Sequence, residues 1–180
     1  MTIKILMQKS LCALAISLAF HAVSAYAKDF SEDQFLSQPL GHGVYELAYD
    51  AGKNAVYAAS APSFAKDKTT GDVFQLAADS LKINTRIATQ RRPFAVALDE
   101  QNHILWLGNA LDGSVTLLDT RTHKEVKTLQ LADSENQAHV REVVLDKKHQ
   151  RLYVSGIGSE GKGTLWVINT QNQTLAHTLK

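Results

Sequence analysis

Five side chains with the chemistry to bind a ligand stand near the starts of three similar apolar segments. Arginine guanidinium groups can contact phosphate or stack on a base, and glutamate carboxylates can accept hydrogen bonds. The alternative for the third segment is that its charges are solvated or ion-paired at a rim. The candidate ligand-binding residues are Tyr45, Glu46, Arg92, Arg141 and Glu142.

Common catalytic and metal-binding patterns are absent from the sequence. No Gly-x-Ser-x-Gly segment supplies a nucleophile elbow, and the seven His residues form no His-x-His or His-Glu-x-x-His pair. The Gly-rich segment 156–163 joins two expected strands rather than opening a helix, so it lacks the geometry that cradles phosphate. We therefore expect no catalytic residue, no metal ligand and no cofactor, and a protein that is not an enzyme.

A repeat of 47 to 49 residues sets the expected architecture. Asp50, Asp99 and Asp146 each end an apolar segment, and a polar turn follows each of them. Each Asp can accept hydrogen bonds from N–H groups of its turn, and apolar segments on both sides of such a turn predict a β-hairpin. An aromatic residue stands seven positions after each Asp: Tyr57, Trp106 and Tyr153.

Two further strands are expected after each hairpin. The third strands are predicted at 73–76, 115–118 and 165–168, and the fourth at 82–88, 125–131 and 174–179. Four short antiparallel strands per repeat are typical of a β-propeller blade, with a β-sandwich as the alternative. We predict an all-β partial propeller of three blades, at about 41–90, 91–137 and 138–180, after a lead-in segment, 28–40.

The three repeated aromatic residues have two interpretations. They can form a platform on which bases stack, each base contributing about 1–3 kcal/mol. They can instead pack between neighbouring blades, because each lies in an apolar inner strand. Recurrence in every repeat favours packing, since a scaffold position repeats and a binding site usually does not.

The residues around these aromatics resemble a known repeat. The segments 106–109 (WLGN) and 153–156 (YVSG) stand where the tetrapeptide Tyr-Val-Thr-Asn names the YVTN-repeat β-propellers, and 57–60 (YAAS) is a weaker copy. From about residue 40 onwards the chain is similar to the periplasmic YncE-type members of that family. The resemblance implies a seven-bladed ring, a binding protein without known catalysis, and single-stranded DNA as a partner.

Three repeats are fewer than the seven that the resemblance implies. We therefore expect the chain to be the N-terminal portion of a longer protein, with self-association or pairing with the missing blades as a further kind of partnership. The leading functional hypothesis is a non-enzymatic binding protein. The alternatives are a propeller enzyme or cofactor-carrying domain, lactonase- or hydrolase-like, whose remaining blades are missing, and a protein–protein interaction scaffold.

The first 27 residues have the three-part pattern of a secretory signal. Lys4 and Lys9 provide positive charge, residues 11–20 form an apolar run, and Ala25-Tyr26-Ala27 places small residues at a cleavage site. A transmembrane anchor is the alternative, but ten apolar residues are too few for a bilayer core that needs about 20. We therefore predict a cleavable signal at 1–27, a periplasmic location and no membrane span after cleavage.

Composition agrees with an exported globular protein. The 180 residues are 44% hydrophobic and 21% charged, which excludes a disordered chain. A net charge of +1 provides no strong field for a nucleic acid or a basic partner. The single cysteine, Cys12, lies in the apolar run of the signal, so no intramolecular disulfide can form.

Export from a bacterial cytoplasm should be accompanied by cleavage after Ala27. The intact mass of the chain recovered from the periplasm should then correspond to residues 28–180. Leu14→Arg places a charge in the apolar run and should keep the uncleaved chain in the cytoplasm. A periplasmic chain that retains Met1 contradicts the predicted cleavage.

Overall fold

Twelve β-strands in three sheets account for most of the described chain. The structure is a computed structural model that describes residues 35–41, 43–62, 65, 69–133 and 138–180. The predicted signal, 1–27, lies outside the described residues. Within the described ranges the helical structure is one short 3₁₀ turn, Ser159–Gly161.

Each sheet has four antiparallel strands that lie side by side in chain order. The first sheet contains β1 (Val44–Asp50), β2 (Ala55–Ser60), β3 (Gly71–Ala77) and β4 (Ile83–Thr89). The second contains β5 (Pro93–Asp99), β6 (Ile104–Asn109), β7 (Ser114–Asp119) and β8 (Lys124–Gln130). The third contains β9 (His139–Asp146), β10 (Arg151–Ile157), β11 (Gly163–Asn169) and β12 (Thr174–Leu179). The prediction of three four-stranded antiparallel blades is confirmed.

The repeated Asp residues hold the first turn of each sheet. The Oδ1 atoms of Asp50, Asp99 and Asp146 accept hydrogen bonds from the backbone N–H three residues later, at 3.0, 3.2 and 3.1 Å. The next residue of each turn has a positive φ, for example 46° at Asn54. Because left-handed backbone is unfavourable for residues other than glycine, the side-chain bond helps to hold this conformation.

The same capping recurs in the later hairpins of the second and third sheets. Asp119 Oδ1 accepts the Thr122 N–H at 2.9 Å, and Asn169 Oδ1 accepts the Asn172 N–H at 3.1 Å. Hydrogen bonds from Arg121 and from the turn backbone hold the pKa of Asp119 well below its ordinary range. One turn geometry thus serves five of the described hairpins.

The core lies between adjacent sheets. Tyr57, Val73 and Leu107 are fully buried in the cluster between the first and second sheets. Trp106 and Trp166, each 1% exposed, lie in the cluster between the second and third. Each sheet therefore buries apolar side chains against its neighbour, as the blades of a propeller do.

Close approach of the second and third sheets depends on Gly108 in β6. A Cβ atom at this position would lie 2.5 Å from Val140 Cγ1 and 3.2 Å from Val143 Cγ1, both in β9. Gly163, at the start of β11, would meet nothing within 4 Å.

Gly108→Ala should lower the free energy of unfolding by about 1–3 kcal/mol, because the added methyl group forces two packed sheets apart. Gly163→Ala is the matched control and should have little effect. Urea denaturation followed by tryptophan fluorescence measures both variants. Equal stability of the two variants contradicts tight packing at Gly108.

Candidate ligand-binding site on the innermost strands

The first strands of the three sheets are neighbours and carry three side chains at equivalent positions. Tyr45 in β1, Phe94 in β5 and Arg141 in β9 each stand five residues before the turn-capping Asp. The Tyr45 and Phe94 rings stack with centroids 4.7 Å apart at an angle of 25°. The Arg141 guanidinium carbon lies 5.7 Å from the Phe94 centroid, within cation–π range. We call these three side chains the stacked row.

A pair of carboxyl groups lies one position further along the same strands. The carboxyl groups of Glu46 and Glu142 lie close enough together to share a hydrogen bond when one of them is protonated. The equivalent residue of the middle strand is Ala95, which is buried in the core between the second and third sheets. Glu46 Oε2 also accepts the Val96 N–H at 2.7 Å. A hydrogen bond between two carboxyl groups requires a proton on one of them.

The environment of Glu46 favours its protonated form. Partial burial, followed by the hydrogen bond and the negative charge of Glu142, raises the pKa of Glu46 to about 7, although the Val96 N–H opposes the shift. The pair is therefore a proton-holding site close to neutral pH, and the stacked row lies beside it.

The expectation for Arg92 is corrected by its placement. This side chain is 1% exposed, and its Nη2 donates to the Ala65 carbonyl at 2.6 Å. Arg92 immediately precedes β5, and its side chain is buried, so it does not present its charge to a ligand at the surface. The adjacent Arg91 is ion-paired with Asp112, with Nε and Oδ2 2.7 Å apart.

The other predicted residues divide between the core and the surface. Tyr57 and Trp106 are buried between sheets, so neither ring is available for base stacking. Tyr153, the equivalent residue of the third sheet, is 37% exposed. The site residue that sequence reasoning missed is Phe94; its spacing from Asp99, equal to that of Tyr45 from Asp50, is the signal that identifies it.

Two further features are absent from the described residues. In these ranges no group of three or more His, Cys, Asp or Glu side chains is placed to hold a metal ion. No helix in the described part of the chain is long and apolar enough to span a membrane.

Three adjacent four-stranded antiparallel sheets, with their first strands side by side, define a partial β-propeller. Solved structures support this fold: the WD40 repeats of RRP9 match with a TM-score of 0.56 at 15% identity, over 76% of this chain and 38% of that one. Hydrazine synthase from Kuenenia stuttgartiensis matches with a TM-score of 0.62 at 16% identity, over 83% and 39%. At these identities the similarity shows the fold alone.

Sequence comparison identifies the relatives. The chain is homologous to YncE, an uncharacterized protein, with 31% identity to the Escherichia coli protein over 155 residues and 27% identity to that of Salmonella typhi over 164 residues. These alignments cover 83% and 88% of this chain but only 43% and 45% of the relatives, so the chain spans less than half their length. The resemblance to YVTN-type propellers is confirmed, and no protein-family model matches the chain.

The stability of the fold should fall as the pH rises from about 4.5 to about 7. In this window folded Glu46 keeps a proton that the unfolded chain releases, so the native state binds more protons and raising the pH favours unfolding. We expect Glu46 to contribute about 1–2 kcal/mol to this loss, after allowance for solvent screening at a half-exposed group.

Glu46→Gln keeps a donor and an acceptor but cannot titrate, so it should flatten the curve of unfolding free energy against pH. Asp79→Asn removes an exposed carboxylate outside the pair and serves as the control. Urea denaturation at a series of pH values measures both. An unchanged slope in Glu46→Gln would rule out a shared proton at this pair.

Proposed function

We propose that the chain is part of a periplasmic, non-enzymatic propeller that binds single-stranded nucleic acid along its innermost strands. The observation that carries the proposal is the stacked row, in which two aromatic rings and an exposed guanidinium group lie side by side on β1, β5 and β9. Aromatic and guanidinium planes are the surfaces on which unpaired bases stack, and the guanidinium group also attracts phosphate.

The carboxyl pair beside the row is compatible with an anionic ligand only while it holds its proton. With Glu46 protonated, the pair carries one negative charge rather than two, so the repulsion of a nearby phosphate is smaller. Binding is therefore best tested on the acidic side of neutrality and at low salt, where the remaining attraction is least screened.

An enzyme remains the competing proposal, and the described site offers it little support. Glu46 and Glu142 are in mutual hydrogen-bond contact, whereas two catalytic carboxyl groups acting on one glycosidic bond stand about 5 Å or more apart. Neither carboxyl group is hydrogen-bonded to a nucleophile in the contacts of the described residues. The spacing of the two carboxyl groups therefore argues against glycoside hydrolysis at this site.

An exposed apolar face on the third sheet supports a second proposed partner, an additional blade. Val144 and Tyr153 pair across β9 and β10, and they are 55% and 37% exposed. The equivalent aromatics of the first two sheets are buried by the next sheet along the chain. This face is suited to an additional blade, from a longer chain or from another copy.

Arg141→Ala should weaken the binding of a single-stranded oligonucleotide at pH 6 by about fivefold or more, because it removes both a stacking surface and a positive charge. It should also reduce the slope of log affinity against log salt concentration by about 0.7. Fluorescence anisotropy of a labelled oligothymidylate measures both quantities.

Arg121→Ala is the matched control, since Arg121 is an exposed arginine in the turn between β7 and β8, paired with Asp119 rather than with an aromatic ring. It should bind as the unaltered chain does. Failure of the unaltered chain to bind at low salt rejects nucleic acid as the ligand. Binding that Arg141→Ala leaves unchanged places the ligand elsewhere.

A further inference from the structure

The junction between the first and second sheets holds a partly exposed lysine ammonium group. Lys53 Nζ lies 2.7 Å from the Thr120 carbonyl oxygen, 3.1 Å from Thr120 Oγ1 and 3.3 Å from the Tyr57 hydroxyl. Asp50 Oδ2 is 3.9 Å away, and the centroid of the Tyr57 ring is 5.9 Å away. Carboxylate, carbonyl, hydroxyl and aromatic face thus form a cage for a primary ammonium ion.

The junction between the second and third sheets repeats this cage without the lysine. Counted from the residue that caps each turn, Asp99 is equivalent to Asp50, Trp106 to Tyr57 and Thr170 to Thr120. The position of the lysine is taken by Asn102, whose Nδ2 donates to Asp99 Oδ2 within its own turn at 2.8 Å.

A cavity of about 410 Å³ occupies the corresponding place. This volume is within the range of small-molecule sites in proteins. The wall combines a carboxyl group, an indole ring, a threonine and several side-chain amides; the residues used here are Asp99, Asn102, Trp106, Thr170, Gln150 and Gln173.

The indole of Trp106 differs from its counterpart in the first sheet in the polar contacts that it makes. Its Nε1 is buried and finds no hydrogen-bond acceptor among the residues that the structure describes. In the first sheet the equivalent polar atom, the Tyr57 hydroxyl, is bonded by Lys53 and by Gln75. Gln75 is replaced by Leu117 in the second sheet, as the strand registers show. A buried donor without an acceptor costs about 1–3 kcal/mol.

We propose that this cavity binds a small polyhydroxylated amine of the amino-sugar class. The ammonium group takes the place that Lys53 fills at the other junction, against the Asp99 carboxylate and Thr170, in a cavity that Trp106 helps to line. Ligand hydroxyls bond the amides of Gln150 and Gln173. The site is separate from the stacked row, and the proposal does not depend on nucleic-acid binding.

The test uses the two tryptophans as reporters. The chain contains Trp106 and Trp166, so its ¹H–¹⁵N spectrum has two indole signals, which Trp166→Phe assigns. Titration with glucosamine should shift the Trp106 signal saturably and leave that of Trp166 nearly unchanged. Glucose, which has a hydroxyl in place of the ammonium group, should bind at least about tenfold more weakly, a difference of 1.4 kcal/mol.

Two substitutions in the cavity test the proposed contacts. Asp99→Asn removes the charge but keeps an oxygen that can cap the turn, as Asn169 does in the third sheet; glucosamine should bind about tenfold more weakly or worse. Asn102→Lys supplies the missing ammonium from the chain itself, so it should abolish glucosamine binding and raise Tm. Lys53→Asn at the other junction is the control and should leave the Trp106 titration unchanged.

A Trp106 signal that glucosamine does not move, or that glucose moves equally, overturns the proposal. So does glucosamine binding that persists at full strength in Asn102→Lys. The Asn102→Lys result is decisive even if Asp99→Asn does not fold, because the lysine variant reproduces an arrangement that the first junction already contains.

Discussion

Burial of one sheet against the next is the constraint on which this structure depends. In the described chain no helix covers the sheets, so each apolar face must be buried by another sheet. Alternate residues of a strand point to opposite faces of its sheet, so a strand with apolar residues at successive positions has two apolar faces. The middle sheet is apolar on both faces and can be buried on both sides. The second sheet is therefore the best buried of the three, and its β7 is buried along its whole length.

The candidate site follows from the same stacking of sheets. Bringing β1, β5 and β9 together aligns residues that are separated by 47 to 49 positions in the sequence. Equivalent positions then become neighbours in space, so a different residue in each repeat produces a composite surface. Tyr45, Phe94 and Arg141 form one such surface, and Glu46, Ala95 and Glu142 form another.

The periodicity of the sequence was sufficient to predict the strands, since the Asp caps and apolar segments that mark them act locally. Side-chain direction was harder to predict. Arg92 stands in a candidate binding segment, yet it is buried, and its guanidinium group donates to the carbonyl of Ala65, 27 residues earlier in the chain. The cavity between the second and third sheets could not be predicted from the sequence either. It arises from a difference between two junctions, a lysine at one and Asn102 at the other. This difference can be interpreted only when the contacts of Lys53 are known from the structure.

The contact between the Glu46 and Glu142 carboxyl groups joins the first sheet to the third across the middle one. It ties together two blades that are not consecutive in the chain. Loss of the proton that the pair holds would set two negative charges against each other at this tie, and their repulsion would push the first and third sheets apart.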